Sequence, residues 1–121
     1  MSYWPSKTFK REEFACNCAE CADKPAPAID YGLVRACEAI RAHFDTTVYI
    51  TSGFRCEAHN AAVGGSEHSQ HLLGRAADLV VKDVPAHLVA ELARDMELGG
   101  VGEYETFTHI DTREGQARWN G

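Results

Sequence analysis

The chain has 121 residues, 45% hydrophobic and 25% charged, with 18 acidic against 12 basic side chains. That length suits one core and not two, and the composition excludes disordered and fibrous classes. The scattered basic residues argue against a nucleic-acid footprint, and no apolar run approaches the roughly 20 residues of a membrane helix. Met1 to Arg11 lacks the charged-then-apolar layout of a secretory signal. The expectation is a single domain over 1–121, monomeric, with a small, peptidic or neutral partner and neither a nucleic acid nor a membrane.

Residues 1–28 read as an irregular arm packed on the domain, with Tyr3, Trp4, Phe9 and Phe14 as anchors and Pro25 and Pro27 punctuating its end. Its three cysteines, Cys16, Cys18 and Cys21, crowd together, while Cys37 and Cys56 stand apart. The Cys18 to Cys21 C-x-x-C could hold a metal or a redox disulfide. No second C-x-x-C or histidine pair follows at finger-like spacing, so reduced thiols or one local disulfide are expected. Asp30 suits a helix cap, and Leu33, Cys37, Ile40 and Phe44 recur at helical spacing with Val34 beside them. Thr46 to Thr51 is β-branched and aromatic, a predicted strand that leads to Ser52-Gly53-Phe54-Arg55. A short helix over Glu57 to Val63 stops at Gly64-Gly65, and the polar loop Ser66 to Gln70 follows. Arg75 to Val81 is the next strand. Pro85 opens a helix whose buried stripe is Leu88, Val89, Leu92, Ala93 and Met96, ended by Gly99-Gly100. Val101 to Tyr104 and Phe107 to Thr112 complete the strands. Strands and helices mix without a strict β-α-β rhythm, which predicts the α+β class: a small antiparallel or mixed sheet with helices packed on it.

Alternation along the Arg75 to Val81 strand puts Ala76, Asp78 and Val80 on one face and Ala77, Leu79 and Val81 on the other. Asp78 is thus a carboxylate in an apolar strand, a position that demands a charged partner, hydrogen bonds or a metal. His71, before Gly74, can fold back over the strand. Zinc accepts both ligand types, although a hydrogen-bonded His/Asp pair serving stability alone fits the same spacing. In Phe107 to Asp111, alternation puts Phe107, His109 and Asp111 on one face, adding a second imidazole and carboxylate.

Four strings then carry a resemblance: S-G-F-R at Ser52 to Arg55, H-N-x-x-V-G-G at His59 to Gly65, S-x-H-x-x-G-x-A-x-D at Ser69 to Asp78, and G-G-V-G-x-Y with F-x-H-I-D at Gly99 to Asp111. Over Phe9 to Trp119 the chain resembles the zinc D-Ala-D-Ala carboxypeptidase family of peptidoglycan L,D- and D,D-peptidases. That family includes phage endolysin peptidases and is related in fold to hedgehog signalling domains. The resemblance implies one zinc per chain on His71, Asp78 and His109, with Arg55 binding the substrate carbonyl or carboxylate. It implies a zinc metallopeptidase that cuts next to a D-amino acid in a peptidoglycan stem peptide or cross-link, for cell-wall lysis or remodelling. Without a visible export signal, such an enzyme would reach the wall through phage or prophage lysis.

The chain departs from many relatives at the general base, where an acidic residue three positions before the last ligand is replaced by Thr106. Two carboxylates compete for the role. Asp111 ranks first because a subgroup reading Y-P-x-F-V-H-V-D includes it, with orientation of a ligand as its alternative. Glu105 would lie one strand period beyond Phe107 on the same face. A hedgehog-like register would instead put Asp111 on zinc and leave Glu105 as base. Ser69 and His68 are candidate substrate contacts at the site mouth. His59 is expected to bond to backbone, His43 and His87 to face solvent, and Trp119 to cover the core. A non-catalytic zinc module that binds cell wall or protein, and a structural domain without metal, are the competing functions.

Overall fold

A computed structural model of the chain describes residues 4–21 and 28–121; Tyr3, Pro25 and Pro27 of the expected arm lie outside them. Among the described residues three α-helices, α1 (Tyr31–Phe44), α2 (Glu57–Ala62) and α3 (Ala86–Asp95), accompany five strands. The strands are β1 (Val48–Ser52), β2 (Ala76–Val81), β3 (Gly100–Glu103), β4 (Thr108–Asp111) and β5 (Ala117–Asn120). They form one sheet in the order β1-β2-β4-β3-β5, antiparallel except where β5 runs parallel to β3. The class is α+β with a mixed sheet. Among the described residues no helix is long and apolar enough to cross a membrane.

Period-two alternation sorts the two faces of the sheet. Ala77, Leu79 and Val81 of β2, Val101 of β3 and Ile110 of β4 face Leu33, Val34, Cys37 and Ile40 of α1 and Val89, Ala90 and Ala93 of α3. Each large apolar side chain buried there contributes about 1.5–3 kcal/mol. The other face carries Asp78, His109 and Asp111, and β2 and β4 pair so that Asp78 stands opposite His109. Gly100 and Gly102 make room on that face: a Cβ at Gly100 would meet Asp111 Oδ2 at 2.1 Å, and one at Gly102 would meet Trp119 Cε2 at 2.5 Å. The G-G-V-G string is therefore a floor that lets a carboxylate and an indole come close.

Several elements differ from the sequence reading. Strand β5 was not expected, because A-R-W-N carries one large apolar residue and pairs far from its neighbours in sequence. Phe107 precedes β4, and Glu105 and Thr106 form the bend between β3 and β4, so the strand period cannot be carried back to Glu105. Asp30 sits at the N-cap of α1 without capping it; its carboxylate accepts from Thr112 Oγ1 at 2.6 Å and ties the helix to the end of β4. In α3 the stripe is Val89, Ala90 and Ala93, while Leu88 is exposed and Leu92 and Met96 are half-buried.

The arm is fastened to the end of β1 and the segment after it. Phe14, fully buried, accepts the Phe54 N–H at 2.8 Å through its carbonyl, and the Asn17 side chain donates to Thr51 O at 3.0 Å. Gly53 passes so near Phe14 that a Cβ would come within 2.7 Å of its backbone.

Candidate metal centre

His71 lies in a 3-10 turn, Gln70–Leu73, and not in an open loop. Ser69 caps that turn, its hydroxyl accepting the His71 N–H at 3.2 Å, and Gly74 closes it at φ 68, the left-handed region that glycine enters without strain. The turn sets the imidazole over β2. His71, Asp78 and His109 are all buried, and their ligand atoms lie within 4.8 Å of one another.

The hydrogen bonds fix the ring tautomers. His71 Nδ1 is 2.7 Å from Gly53 O, and a carbonyl only accepts, so Nδ1 carries the proton and Nε2 keeps a lone pair. His109 Nε2 is 2.7 Å from Asp111 Oδ2, so Nε2–H donates to the carboxylate and Nδ1 keeps the lone pair. Both free nitrogens face the same atom, Asp78 Oδ1, at 3.2 Å for His71 and 3.1 Å for His109. Three electron-rich atoms converging in a buried place repel unless a proton or a cation stands among them. The donor set, two imidazoles and a carboxylate with the second ring nitrogens anchored, is the kind that holds zinc.

Charges within the cluster offset one another. Burial works to raise the Asp78 carboxyl, but His109 and His71 hold it well below the ordinary range. Burial works to lower His109, and Asp111 and Asp78 more than offset it, so the ring is shifted up. Asp111 is likewise pushed up by burial and held low by His109 and Arg113. Arg113 grips Asp111 through Nε–H to Oδ1 at 2.9 Å and Nη2–H to Oδ2 at 2.6 Å.

Arg55 flanks Asp78 on the other side. Its Nη2–H donates to Asp78 Oδ2 at 3.1 Å, Nε–H to Ser52 Oγ at 3.1 Å and Nη1–H to Asn60 Oδ1 at 3.2 Å. Three of its five donors are engaged, and two remain without a partner among the described residues. Asn60 is buried and also donates to Ser66 O at 2.8 Å, and a Cβ at Gly65 would come within 2.1 Å of its side-chain oxygen. The H-N-x-x-V-G-G string thus seats Arg55 through Asn60. His59, expected to bond to backbone, makes no side-chain hydrogen bond among the described residues.

The three convergent residues open onto a cavity of about 580 Å³, whose lining includes Arg55, Ser69, His68, Tyr104, Phe107 and Trp119. Asp78 is the one carboxylate in that lining among the described residues. Asp111 is 1% exposed, with both oxygens taken, behind His109. Its carboxylate is bonded to His109 and Arg113 and is not part of the cavity lining among the described residues. Glu105 is exposed and lines a separate hollow with Pro85, His87 and Glu103, so the expectation that it shares the face of His109 is corrected by the bend it occupies. His43 and His87 are exposed, as expected.

Sequence reasoning missed Arg113 and Tyr104 and assigned Trp119 to the core. Trp119 instead lies beside the centre, its ring 4.9 Å from that of His109, under the Arg113 guanidinium at 5.3 Å and donating to Tyr104 Oη at 2.9 Å. Tyr104 stacks on Phe107 at 4.2 Å. The partners of Trp119 come from β4, from the link after it and from the stretch between β3 and β4.

The family model of Peptidase M15 matches residues 7–111, a stretch that holds all three convergent residues and Arg55 but stops short of Arg113 and Trp119. No curated protein matches the chain.

Proposed function

The chain belongs to the Peptidase M15 family, a family of metal-dependent peptidases, and from that premise we propose that it is a zinc peptidase that hydrolyses a peptide bond next to a D-amino acid in peptidoglycan. One observation carries the reading: three ligand atoms, from His71, Asp78 and His109, meet at the wall of an open cavity. Zinc bound there supplies Lewis acidity, which polarises a peptide carbonyl and acidifies water near neutral pH.

The chain's own residues do the rest. Arg55, always charged, offers its two remaining N–H donors to the substrate carbonyl or terminal carboxylate. Tyr104, Phe107 and Trp119 form an apolar wall for the substrate's side chains, and Ser69 and His68 stand at the cavity's rim. His68, exposed at that rim, is the side chain in this lining best suited to carry a proton to the leaving amine. Asp111 holds the His109 tautomer and ring angle and does not meet substrate.

Digestion of purified peptidoglycan, with mass spectrometry of the released fragments, tests the proposal. Fragments cut beside a D-residue, abolished by a chelator and restored by zinc, are the expected result. Fragment release that ignores the chelator would sink it. A zinc module that binds the wall without cutting draws support from the lack of a second carboxylate in the cavity lining. It predicts sedimentation with the wall and no fragments.

A further inference from the structure

The sequence leaves Cys16, Cys18 and Cys21 without a fourth ligand, and the fold supplies one. Cys56, at the N-cap of α2 and thirty-eight positions after Cys18, brings its sulfur into the cluster. All four sulfurs lie within 4.8 Å of one another. Cys16 and Cys18 are 3.6 Å apart, and Cys18 and Cys56 are 3.7 Å apart. A regular tetrahedron of zinc–sulfur bonds near 2.3 Å has edges of about 3.8 Å. A disulfide would need about 2.05 Å. No cysteine here is in a disulfide.

We propose that Cys16, Cys18, Cys21 and Cys56 form a second metal site, a closed tetrathiolate holding one zinc ion that clamps the N-terminal arm to the loop before α2. The loop geometry suits it. The C-x-x-C is bent into a tight turn, Cys21 N–H donating to Cys18 O at 3.1 Å. Backbone N–H groups point at the sulfurs, from Cys56 to Cys16 Sγ at 3.5 Å and from His59 to Cys56 Sγ at 3.4 Å, as thiolates require. Four sulfurs complete a tetrahedron and leave no position for water or substrate, which makes the site structural. The expected metal count becomes two per chain.

The clamp acts where the other centre is assembled. Between the end of β1 and Cys56 lie Gly53, whose carbonyl fixes the His71 tautomer, and Arg55, whose own N–H donates to His71 O at 3.1 Å. The arm packs on that segment through Phe14. An irregular arm has few backbone bonds to hold it, and zinc–thiolate binding contributes folding energy directly.

The test reads the metal apart from any activity. Protein produced in cobalt medium is expected to show the intense sulfur-to-cobalt charge-transfer absorption of a thiolate site, which imidazole and carboxylate ligands do not give. The His71→Ala/His109→Ala double variant is expected to retain about one metal ion per chain, released in step with thiol modification by a mercurial. Cys18→Ser is expected to lose the absorption, and Cys37→Ser, a buried cysteine outside the cluster, to keep it. Cobalt protein without the thiolate band overturns the proposal, as does a purified protein with fewer than five titratable thiols after unfolding in chelator. Both readings use the unmutated chain, so a variant that misfolds does not shelter the idea.

Discussion

The two ligand clusters are built on opposite principles. His71, Asp78 and His109 come from a turn and two paired strands, are all buried, and each has its second polar atom tied to a protein partner. The four cysteines come from an irregular arm and a helix cap, and three are only half-buried. Three donors on a capped turn and two paired strands would leave one side of a bound metal facing a cavity, whereas four donors on an irregular arm and a helix cap would close it off. A reactive centre takes its precision from secondary structure, while a clamp stands in for secondary structure that is missing.

The largest effect comes from emptying the open cluster. His109→Ala is expected to lower zinc from about two ions per chain to about one and to take peptidoglycan digestion to background. Elemental analysis beside the digestion assay checks both halves. Loss of both ions in this variant would show the clusters to be one cooperative unit and would break the contrast drawn between them. Arg55→Lys comes next. Lysine keeps the charge but cannot span Ser52, Asn60 and Asp78 while reaching substrate, so turnover should fall by roughly ten-fold or more. Zinc content should stay unchanged. Turnover near that of the parent would reduce Arg55 to a support for Asp78.

Those two variants touch residues that the sequence alone could find, His109 through alternation along its strand and Arg55 through the S-G-F-R string that carries the family resemblance. Asp78 stands out because alternation along β2 puts a carboxylate among alanines, leucine and valines, and the same rule places His109 with it across the β2–β4 pairing. The rule failed one bend away. Extending the period from His109 through Phe107 to Glu105 assumed a strand, but residues 105 and 106 turn the chain between β3 and β4. Arg113 and Trp119 were invisible for another reason. Trp119 enters through β5, a short strand with little apolar signal whose parallel pairing to β3 depends on tertiary contact, and Arg113 lies in the link between β4 and β5, where no periodicity marks it. Cys56 was overlooked because spacing rules look for ligands in local pairs, and a single distant cysteine becomes the fourth only when the arm folds back. Asn60 was hidden by its neighbour, since His59 offered the more familiar chemistry.

Asp111→Asn sharpens the division of labour within the open cluster. Asparagine can still accept from His109 Nε2–H, but it gives up the carboxylate that Arg113 grips with two N–H groups. Loss of such an outer partner costs roughly 10–100-fold in metal affinity. Competition with a chelator should show that weakening, and turnover at saturating zinc should fall only several-fold. A general base would behave in the reverse way, with affinity intact and turnover down by roughly a hundred- to ten-thousand-fold. Complete loss of the ion would move Asp111 into the ligand set.

The smallest expected effect belongs to Glu105→Gln. Glu105 is exposed on the bend between β3 and β4 and faces the hollow shared with Pro85, His87 and Glu103. A base must come within about 2.6–3.2 Å of the proton it takes, or act through one water, and a carboxylate outside the cavity lining cannot do so without moving the bend. Movement is opposed by Tyr104, which stacks on Phe107 across that bend, accepts the Trp119 indole N–H, and bonds through its backbone N–H to Phe107 O at 3.1 Å. Turnover and zinc content should both match the parent within about two-fold, because surface substitutions away from special contacts change little. A loss of roughly a hundred-fold in turnover with zinc retained would assign the base role to Glu105. It would also mean that the bend swings over the cavity when substrate is bound.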